Sequence, residues 1–246
     1  MMKSNVELLV AQDPDEQAAW AARVVLEAAR ETVGGFSLAL SGGSTPQRFH
    51  QQLAHLDRET MPWDRVIIFF SDERAVGPDH PDSNYRMARE TLLSAAPIAP
   101  NHIHRILAER DDLGEVARDY EATLRERTNG SGELDLIVLG MGPDGHTASL
   151  FPSHPQPPSG RLVVATPMSP TAPLTARVTM TYEAIAKAKR VLFLVSGADK
   201  ATRLEEVLQQ RGDLPVQRVL SDRTRPTIII ADEFASAALT NRRQPS

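Results

Sequence analysis

Residues 134 to 152 read LDLIVLGMGPDGHTASLFP, and this stretch decides the fold. Its first six residues, 134 to 139, are nearly all apolar and β-favouring, as expected of a strand buried on both faces of a parallel sheet. Three glycines and a proline then end the strand abruptly. The chain is therefore predicted to turn at the carboxyl end of a central strand, where open α/β sheets bind their ligands.

This turn carries an aspartate and a histidine. Asp144 is predicted to be the N-cap of a helix that begins near His146, with free backbone N–H groups facing the crevice above the sheet. A glycine-flanked turn costs conformational freedom that a plain connection would not require. We therefore interpret His146 as functional, whereas Asp144 is either a second functional residue or a helix cap alone.

The charge of the chain argues against two classes of partner. The net charge is −5, so neither nucleic acid nor an anionic membrane is an expected partner. No apolar run of 18 residues is present, and the amino terminus lacks the apolar run of a signal peptide. Cysteine is absent, which excludes thiolate chemistry and fits a reducing compartment. We expect a cytoplasmic protein.

A second glycine turn follows the apolar stretch 36 to 40, which is a predicted strand. The turn reads SGGSTP, residues 41 to 46, and a helix is predicted from Pro46 to Leu56. A strand, a glycine turn and a helix N-terminus in this order form a cradle for an anion, although an ordinary capped turn would have the same pattern. It is neither a Walker loop nor a nucleophile elbow. The candidate binding residues are Gly42, Gly43, Ser44 and Thr45.

Charged residues follow the next predicted strand, Val66 to Phe70. Asp72, Glu73 and Arg74 leave this strand at the edge of the sheet that also carries the two glycine turns. Three charged residues at the end of one core strand are unusual for a plain loop, although a salt-bridged surface turn remains the alternative. A helix is predicted over 84 to 93.

The second half of the chain adds cationic candidates. Arg177 begins a predicted strand, and Lys200 falls in the first turn of the helix after the apolar strand 191 to 195. A lysine there is disfavoured by the helix dipole, so it indicates a bound anion unless it is simply exposed. His102 and His104 have no third ligand at a suitable spacing, so no metal and no cofactor are expected.

The alternation of strands and helices predicts the fold class. Further strands are predicted at 6 to 10, 163 to 165, 215 to 220 and 227 to 230. No repeat and no linker divides the chain. The expected architecture is one α/β domain over residues 1 to 246, with a doubly wound, mostly parallel sheet flanked by helices and a loose polar tail over 240 to 246.

Five motifs now identify a family. SGGSTP, FFSDERAVGPDHPDSNY, LGMGPDGHTASLFP, ARVTMT and SGADKA occur in this order between roughly residues 36 and 205. In these motifs the chain resembles the glucosamine-6-phosphate isomerase/6-phosphogluconolactonase family, and within it the lactonases. The resemblance implies a Rossmann-like sheet without a dinucleotide, and hydrolysis of a small-molecule sugar-phosphate lactone in the pentose phosphate pathway.

The resemblance also implies roles for the candidate residues. His146 would be the general base, Arg74 would lie near the lactone end of the substrate, and Asp72 and Asp144 would line the same pocket. Either aspartate could orient the histidine, and either Arg74 or the N–H groups after Gly145 could stabilise the oxyanion. The substrate phosphate would be held by Gly42, Gly43, Ser44, Thr45, Arg177 and Lys200.

Two other functions are weighed against the lactonase. The related deaminases resemble this chain but usually have an acidic residue five positions after the motif histidine, where this chain has Phe151, and a tyrosine where it has Arg74. A phenylalanine cannot transfer protons, and an arginine suits a product that is a carboxylate. A non-catalytic sugar-phosphate sensor is the other alternative, since a fold alone does not fix activity. The oligomeric state is left open, a monomer among the options.

Overall fold

Two β-sheets carry the fold in the computed structural model, which describes residues 4–57 and 59–240. The larger sheet has six strands and the smaller has three. In chain order the strands are β1 (Val6–Ala11), β2 (Phe36–Leu40), β3 (Val66–Phe70), β4 (Asp72–Arg74), β5 (Leu136–Gly140), β6 (Val163–Thr166), β7 (Arg177–Met180), β8 (Arg190–Val195) and β9 (Thr227–Asp232).

Helices connect the strands and flank the larger sheet. In chain order they are α1 (Pro14–Glu31), α2 (Ser44–Ala54), α3 (Asn84–Ala88), α4 (Leu113–Arg127), α5 (Tyr182–Lys187), α6 (Ala201–Leu208), α7 (Pro215–Asp222) and α8 (Glu233–Thr240). A π-helical turn, Arg89–Leu93, continues α3, so the predicted helix over 84 to 93 is confirmed. No helix in the described ranges is both long and apolar enough to cross a membrane.

The larger sheet is entirely parallel, with the strand order β1-β9-β8-β5-β2-β3. The chain winds outward from the centre in both directions, so the order reverses between β2 and β5, where Leu38 lies opposite Leu136. Side chains of β2 are buried along its whole length, as the apolar pattern predicts for a central strand. The predicted α/β class is confirmed, and the crevice at the reversal point is the expected place for a ligand.

The smaller sheet is antiparallel and has the strand order β4-β7-β6. Its strands 163–166 and 177–180 were predicted as strands, but not as a separate sheet. The strand that the sequence did not predict is β4, which has three residues and is formed by the Asp72–Arg74 motif itself. This strand is too short and too polar to show a period-2 pattern, and its partner β7 lies about a hundred residues further along the chain.

Two predicted elements are wrong. No helix follows β5, because residues 141–150 form turns and one isolated bridge. The stretch 215 to 220 is not a strand, because α7 occupies it. Val216, Val219 and Leu220 lie on the buried side of α7 at helical spacing, and Pro215 occupies its first turn, as proline prefers. The predicted loose tail lies outside the described residues apart from the backbone of Thr240.

One buried histidine makes the stability of the fold depend on pH. His50 on α2 is fully buried, and burial lowers its pKa from 6.5 to about 3. In the unfolded chain His50 is protonated as the pH falls below 6.5, whereas in the folded chain it is protonated only near pH 3. Stability consequently falls as the pH decreases through this window, by about 2 kcal/mol between pH 7.5 and pH 5.

Urea unfolding at the two pH values tests this expectation. The variant His50→Gln has no proton to gain at this position, so its loss of stability between pH 7.5 and pH 5 should be about 2 kcal/mol smaller than that of the wild type. An identical loss in both proteins would show that His50 does not cause the pH dependence.

Candidate active site

A polar cavity of about 360 Å³ opens at the carboxyl ends of β2, β5 and β8. It is lined by most of the residues that the sequence singles out: Gly42, Gly43, Ser44, Thr45, Asp72, Arg74, His146, Arg177 and Lys200. Lining residues that the sequence analysis did not propose are Ser41, Pro46, Gly140, Met141, Gly142, Ala148, Leu194, Ser196 and Asp199. Asp144, which the resemblance placed in the same pocket, is not among the lining residues but contacts one of them, His146. The SGGSTP turn, the charged motif after β3 and the turn after β5 therefore line one cavity, as predicted.

The turn after β5 joins His146 to Asp144. The Asp144 carboxylate lies 2.5 Å from His146 Nδ1 and accepts a hydrogen bond from the His146 backbone N–H. Asp144 thus caps a tight turn of the chain rather than a helix. Burial opposes ionisation of Asp144, but its hydrogen bond to His146 and the charge of that ring outweigh the burial and lower the pKa of Asp144. With Nδ1 engaged, Nε2 is the nitrogen of His146 that can accept a proton.

Gly142 allows the aspartate and the histidine to approach each other. A methyl group on this residue would lie 2.1 Å from His146 Cε1 and Nδ1, and 2.8 Å from the Asp144 carboxylate. These distances are far below van der Waals contact, so no other residue fits without moving the pair. The glycines after β5 therefore have a packing role in addition to ending the strand.

Two arginines are paired on neighbouring strands of the smaller sheet. Arg74 on β4 lies opposite Arg177 on β7. Each donates one hydrogen bond to a backbone carbonyl, of Asp82 and of Pro173 respectively. Each also has a buried Nε without a hydrogen-bond partner among the described residues. Like charges directly opposite each other destabilise a sheet, so this arrangement favours the binding of anionic groups near these arginines.

Burial adds to the cost of holding Arg177 in this position. Arg177 is almost completely buried. Burial lowers its pKa below the ordinary value, the carboxylate of Asp72 acts in the opposite direction, and the charge of Arg74 lowers it further. The guanidinium nevertheless remains charged at neutral pH. An anionic group bound in the cavity would compensate for the hydration energy that the guanidinium loses on burial.

The SGGST loop leads directly into α2. Gly43 is the N-cap residue with φ +106°, a conformation that favours glycine, and no side chain caps the helix. The first N–H groups of α2 therefore remain available to an anion in the cavity. Gly42 packs against Asn84, because a methyl group on Gly42 would lie 1.7 Å from Asn84 Oδ1. Asn84 in turn donates to the backbone carbonyl of Asp72 at 2.9 Å, which connects two of the site's loops.

Lys200 ends a short 3-10 turn, Ala198–Lys200, and is the N-cap residue of α6, just before the first turn in which the sequence predicted it. It forms an ion pair with the neighbouring Asp199, which also lines the cavity. Asp199 was not predicted from the sequence as a site residue. The adjacent aspartate was the available signal, since it offers the lysine a counter-ion when no ligand is bound.

Asp72 is held by neighbouring side chains rather than by the histidine. One carboxylate oxygen accepts a hydrogen bond from Ser149 at 2.6 Å, and the other accepts from Ser71 and Asn84. Of the two aspartates considered from the sequence, Asp144 is the one that contacts the His146 ring. Asp72 links the turn after β5 to the motif after β3.

Glu73, the third charged residue of that motif, is buried beneath the start of α3. Its carboxylate accepts hydrogen bonds from the backbone N–H groups of Arg74, Asn84 and Tyr85, and from the hydroxyl of Ser83. Burial raises the pKa of Glu73 in spite of these N–H groups. Its contacts are structural, and they hold Asn84 against Gly42.

The histidine and the buried arginine share one neighbour. The Phe151 ring centroid lies 4.4 Å from the His146 ring centroid and 5.7 Å from Arg177 Cζ. The distance from the His146 ring centroid to Arg177 Cζ therefore cannot exceed about 10 Å. A proton acceptor and a buried cation consequently face the same small cavity.

Metal ligands are not grouped anywhere in the described ranges. No set of three or more His, Cys, Asp or Glu side chains there is arranged to hold a metal ion. The chemistry that the cavity can support is proton transfer by His146 next to an anion held by arginine and lysine.

Comparisons with known proteins identify relatives of the chain. A family model described as glucosamine-6-phosphate isomerases/6-phosphogluconolactonase matches residues 12–229. The chain is 38% identical over 221 residues to the 6-phosphogluconolactonase of a Nostoc species, covering 86% of this chain and 88% of the relative. It is 39% identical over 184 residues to that of a Synechocystis species, covering 73% and 74%. The crystal structure of the Thermotoga maritima 6-phosphogluconolactonase superposes with a TM-score of 0.82 at 31% identity, covering 92% and 99%.

Proposed function

The chain belongs to the glucosamine-6-phosphate isomerase/6-phosphogluconolactonase family, and we propose that it hydrolyses 6-phospho-D-glucono-1,5-lactone to 6-phospho-D-gluconate. It would act in the oxidative pentose phosphate pathway, in the cytoplasm. The observation that carries the proposal is the combination in one cavity of the His146–Asp144 pair with the opposed Arg74 and Arg177. This combination provides a proton acceptor for water and a binding site for an anionic substrate.

In the proposed reaction, His146 acts as general base. Its Nε2 removes a proton from a water molecule as the water oxygen bonds to C1 of the lactone. The Asp144 carboxylate holds the ring by Nδ1 and stabilises the imidazolium that forms. When the tetrahedral intermediate collapses, the bond from C1 to the ring oxygen breaks, and the ring oxygen takes the proton from the imidazolium. A lactone is an activated ester, so no covalent enzyme intermediate is needed.

Arg74 is the proposed donor to the oxyanion of the tetrahedral intermediate. The alternative donors are the backbone N–H groups after Gly145, and the first of these, the N–H of His146, donates to Asp144. Arg74, in contrast, is a cation that lines the cavity. This difference favours the arginine.

The proposed phosphate site is the other end of the cavity. The N–H groups at the start of α2, Arg177 and Lys200 supply donors and positive charge from three separate elements. Lys200 is paired with Asp199, and its ammonium has three donors, so it can turn some of them to the phosphate. Each charge-assisted hydrogen bond to the phosphate is typically worth about 1.5–3 kcal/mol.

A direct assay tests the proposed function. The purified protein should accelerate hydrolysis of freshly made 6-phosphoglucono-1,5-lactone above the spontaneous rate, and it should leave glucosamine 6-phosphate unchanged. Conversion of glucosamine 6-phosphate would instead indicate a deaminase. Binding of 6-phosphogluconate without any acceleration of lactone opening would indicate a sugar-phosphate binding protein.

The substitution Gly142→Ala should reduce kcat by about 10²-fold, because the added methyl group displaces His146 and Asp144 from their contact. The affinity for 6-phosphogluconate should change much less, since Gly142 is not one of the residues proposed to bind the phosphate. Steady-state kinetics and calorimetric binding of 6-phosphogluconate measure the two effects.

Gly77→Ala is the matched control. A methyl group on Gly77 meets no atom within 4 Å, so the same chemical change should leave kcat within twofold of the wild type. If Gly142→Ala retains more than a third of the wild-type kcat, the close contact beneath His146 has no catalytic importance.

A further inference from the structure

Phe151 occupies an unusual position for a core phenylalanine. It is 2% exposed, and its ring contacts two polar residues of the site. The His146 ring packs against it at 4.4 Å with an interplanar angle of 37°, and the Arg177 guanidinium lies 5.7 Å from its centroid. The proposed base and the arginine proposed to bind the phosphate therefore both contact one apolar ring.

The contact with Phe151 restricts how Arg177 can bind an anion. The guanidinium lies within cation–π range of the ring, and one terminal nitrogen donates to the Pro173 carbonyl at 3.0 Å. These two contacts fix the plane of the guanidinium and one of its edges. The buried Nε has no partner among the described residues, so the protein alone does not satisfy all the donors of this guanidinium.

The same ring also limits the motion of His146. Asp144 holds the imidazole by one nitrogen, which alone would allow the ring to rotate about that hydrogen bond. Packing against Phe151 restricts this rotation. Phe151 is itself supported by His154, whose ring meets it edge to face at 5.0 Å and whose backbone N–H donates to the Phe151 carbonyl.

We propose that Phe151 is a positioning residue that fixes His146 and Arg177 relative to each other, so that the base meets the lactone carbon when the phosphate is bound. This inference rests on the proposed lactonase function. Phe151 takes no part in proton transfer. Its contribution is to hold two groups in the geometry that the reaction needs.

The substitution Phe151→Leu keeps the site apolar but removes the aromatic face. We expect kcat to fall about 10- to 50-fold, and the preference for the phosphorylated over the unphosphorylated lactone to fall about fivefold. Phe151→Tyr keeps the ring and should retain kcat within about threefold of the wild type. If Phe151→Leu does not fold, Phe151→Met carries the same expectation.

Phe69→Leu is a matched control. Phe69 is also fully buried and also stacks on a histidine, His104, at 5.1 Å, but it contacts neither His146 nor Arg177. It should lose a similar amount of stability while keeping the substrate preference of the wild type. An equal change in substrate preference in both variants would show that loose packing, and not the position of Phe151, is responsible.

Combined variants separate positioning from a general structural role. In a His146→Ala background, Phe151→Leu should lower kcat by less than twofold, because the group that it positions is gone. An undiminished effect in that background would overturn the proposal. Binding of 6-phosphogluconate provides a second readout, which Phe151→Leu should weaken about fivefold relative to gluconate. If the wild type binds this product but lacks lactonase activity, the proposed function fails while the binding result still tests the contact with Arg177.

Discussion

Replacing His146 with alanine is expected to lower kcat by about 10²- to 10⁴-fold, while the affinity for 6-phosphogluconate stays within about threefold of the wild type. The loss falls on kcat because the imidazole acts on the water molecule and not on the phosphate. Asp144 remains in the variant, but a carboxylate is an ordinarily weaker base for water than an imidazole. Steady-state kinetics, corrected for spontaneous opening of the lactone, measure the change.

Two further measurements make this result interpretable. His55→Ala removes an exposed histidine at the end of α2 and should leave kcat unchanged within twofold. Product binding by calorimetry shows whether the phosphate site of the His146 variant is intact. A kcat within threefold of the wild type would remove His146 from the role of base, whatever the affinity for the product.

The convergence of the site could be predicted from the sequence because it depends on a general property of parallel sheets. Strands that run in one direction end at one edge, so the turns after β2 and β5 and the motif after β3 had to lie near each other. The apolar runs marked these strands, and the glycines marked the turns. The cavity lined by residues from all these segments follows from this rule.

The opposition of the two arginines could not be predicted in the same way. It depends on the register of β4 with β7, which places Arg74 opposite Arg177. The resemblance to the family named both residues but gave no reason for their pairing. Sequence patterns identify register poorly in strands of three or four residues, and here only the folded chain shows that two like charges face each other.

The error at the turn after β5 has a related cause. Asp144 followed by His146 and Thr147 has the pattern of a helix start, and an aspartate there is a normal N-cap. In the structure, the Asp144 carboxylate accepts from the backbone and contacts the side chain of His146, and Thr147 donates to the Gly140 carbonyl. Local hydrogen bonds of this kind compete with helix formation. The residues that break the expected helix are the ones that form the site.

Replacing Arg177 is expected to have the second large effect. Arg177→Ala should lower kcat/KM for the phosphorylated lactone by about 10²-fold or more, because at least one buried, charge-assisted contact with the phosphate is lost. Unphosphorylated gluconolactone lacks the phosphate, so its kcat/KM should change less than threefold. Equal losses on both substrates would mean that Arg177 has a structural role instead.

The stability of an Arg177 variant distinguishes a binding residue from a structural one. In a buffer without multivalent anions, Arg177→Met should be at least as stable as the wild type, because the repulsion from Arg74 is gone and the methionine retains an apolar stem against Phe151. Saturating 6-phosphogluconate should stabilise the wild type more than this variant in thermal unfolding. A residue that lowers the stability of the free protein but raises the affinity for the ligand is retained for binding. If Arg177→Met is less stable than the wild type both without and with 6-phosphogluconate, this role is contradicted.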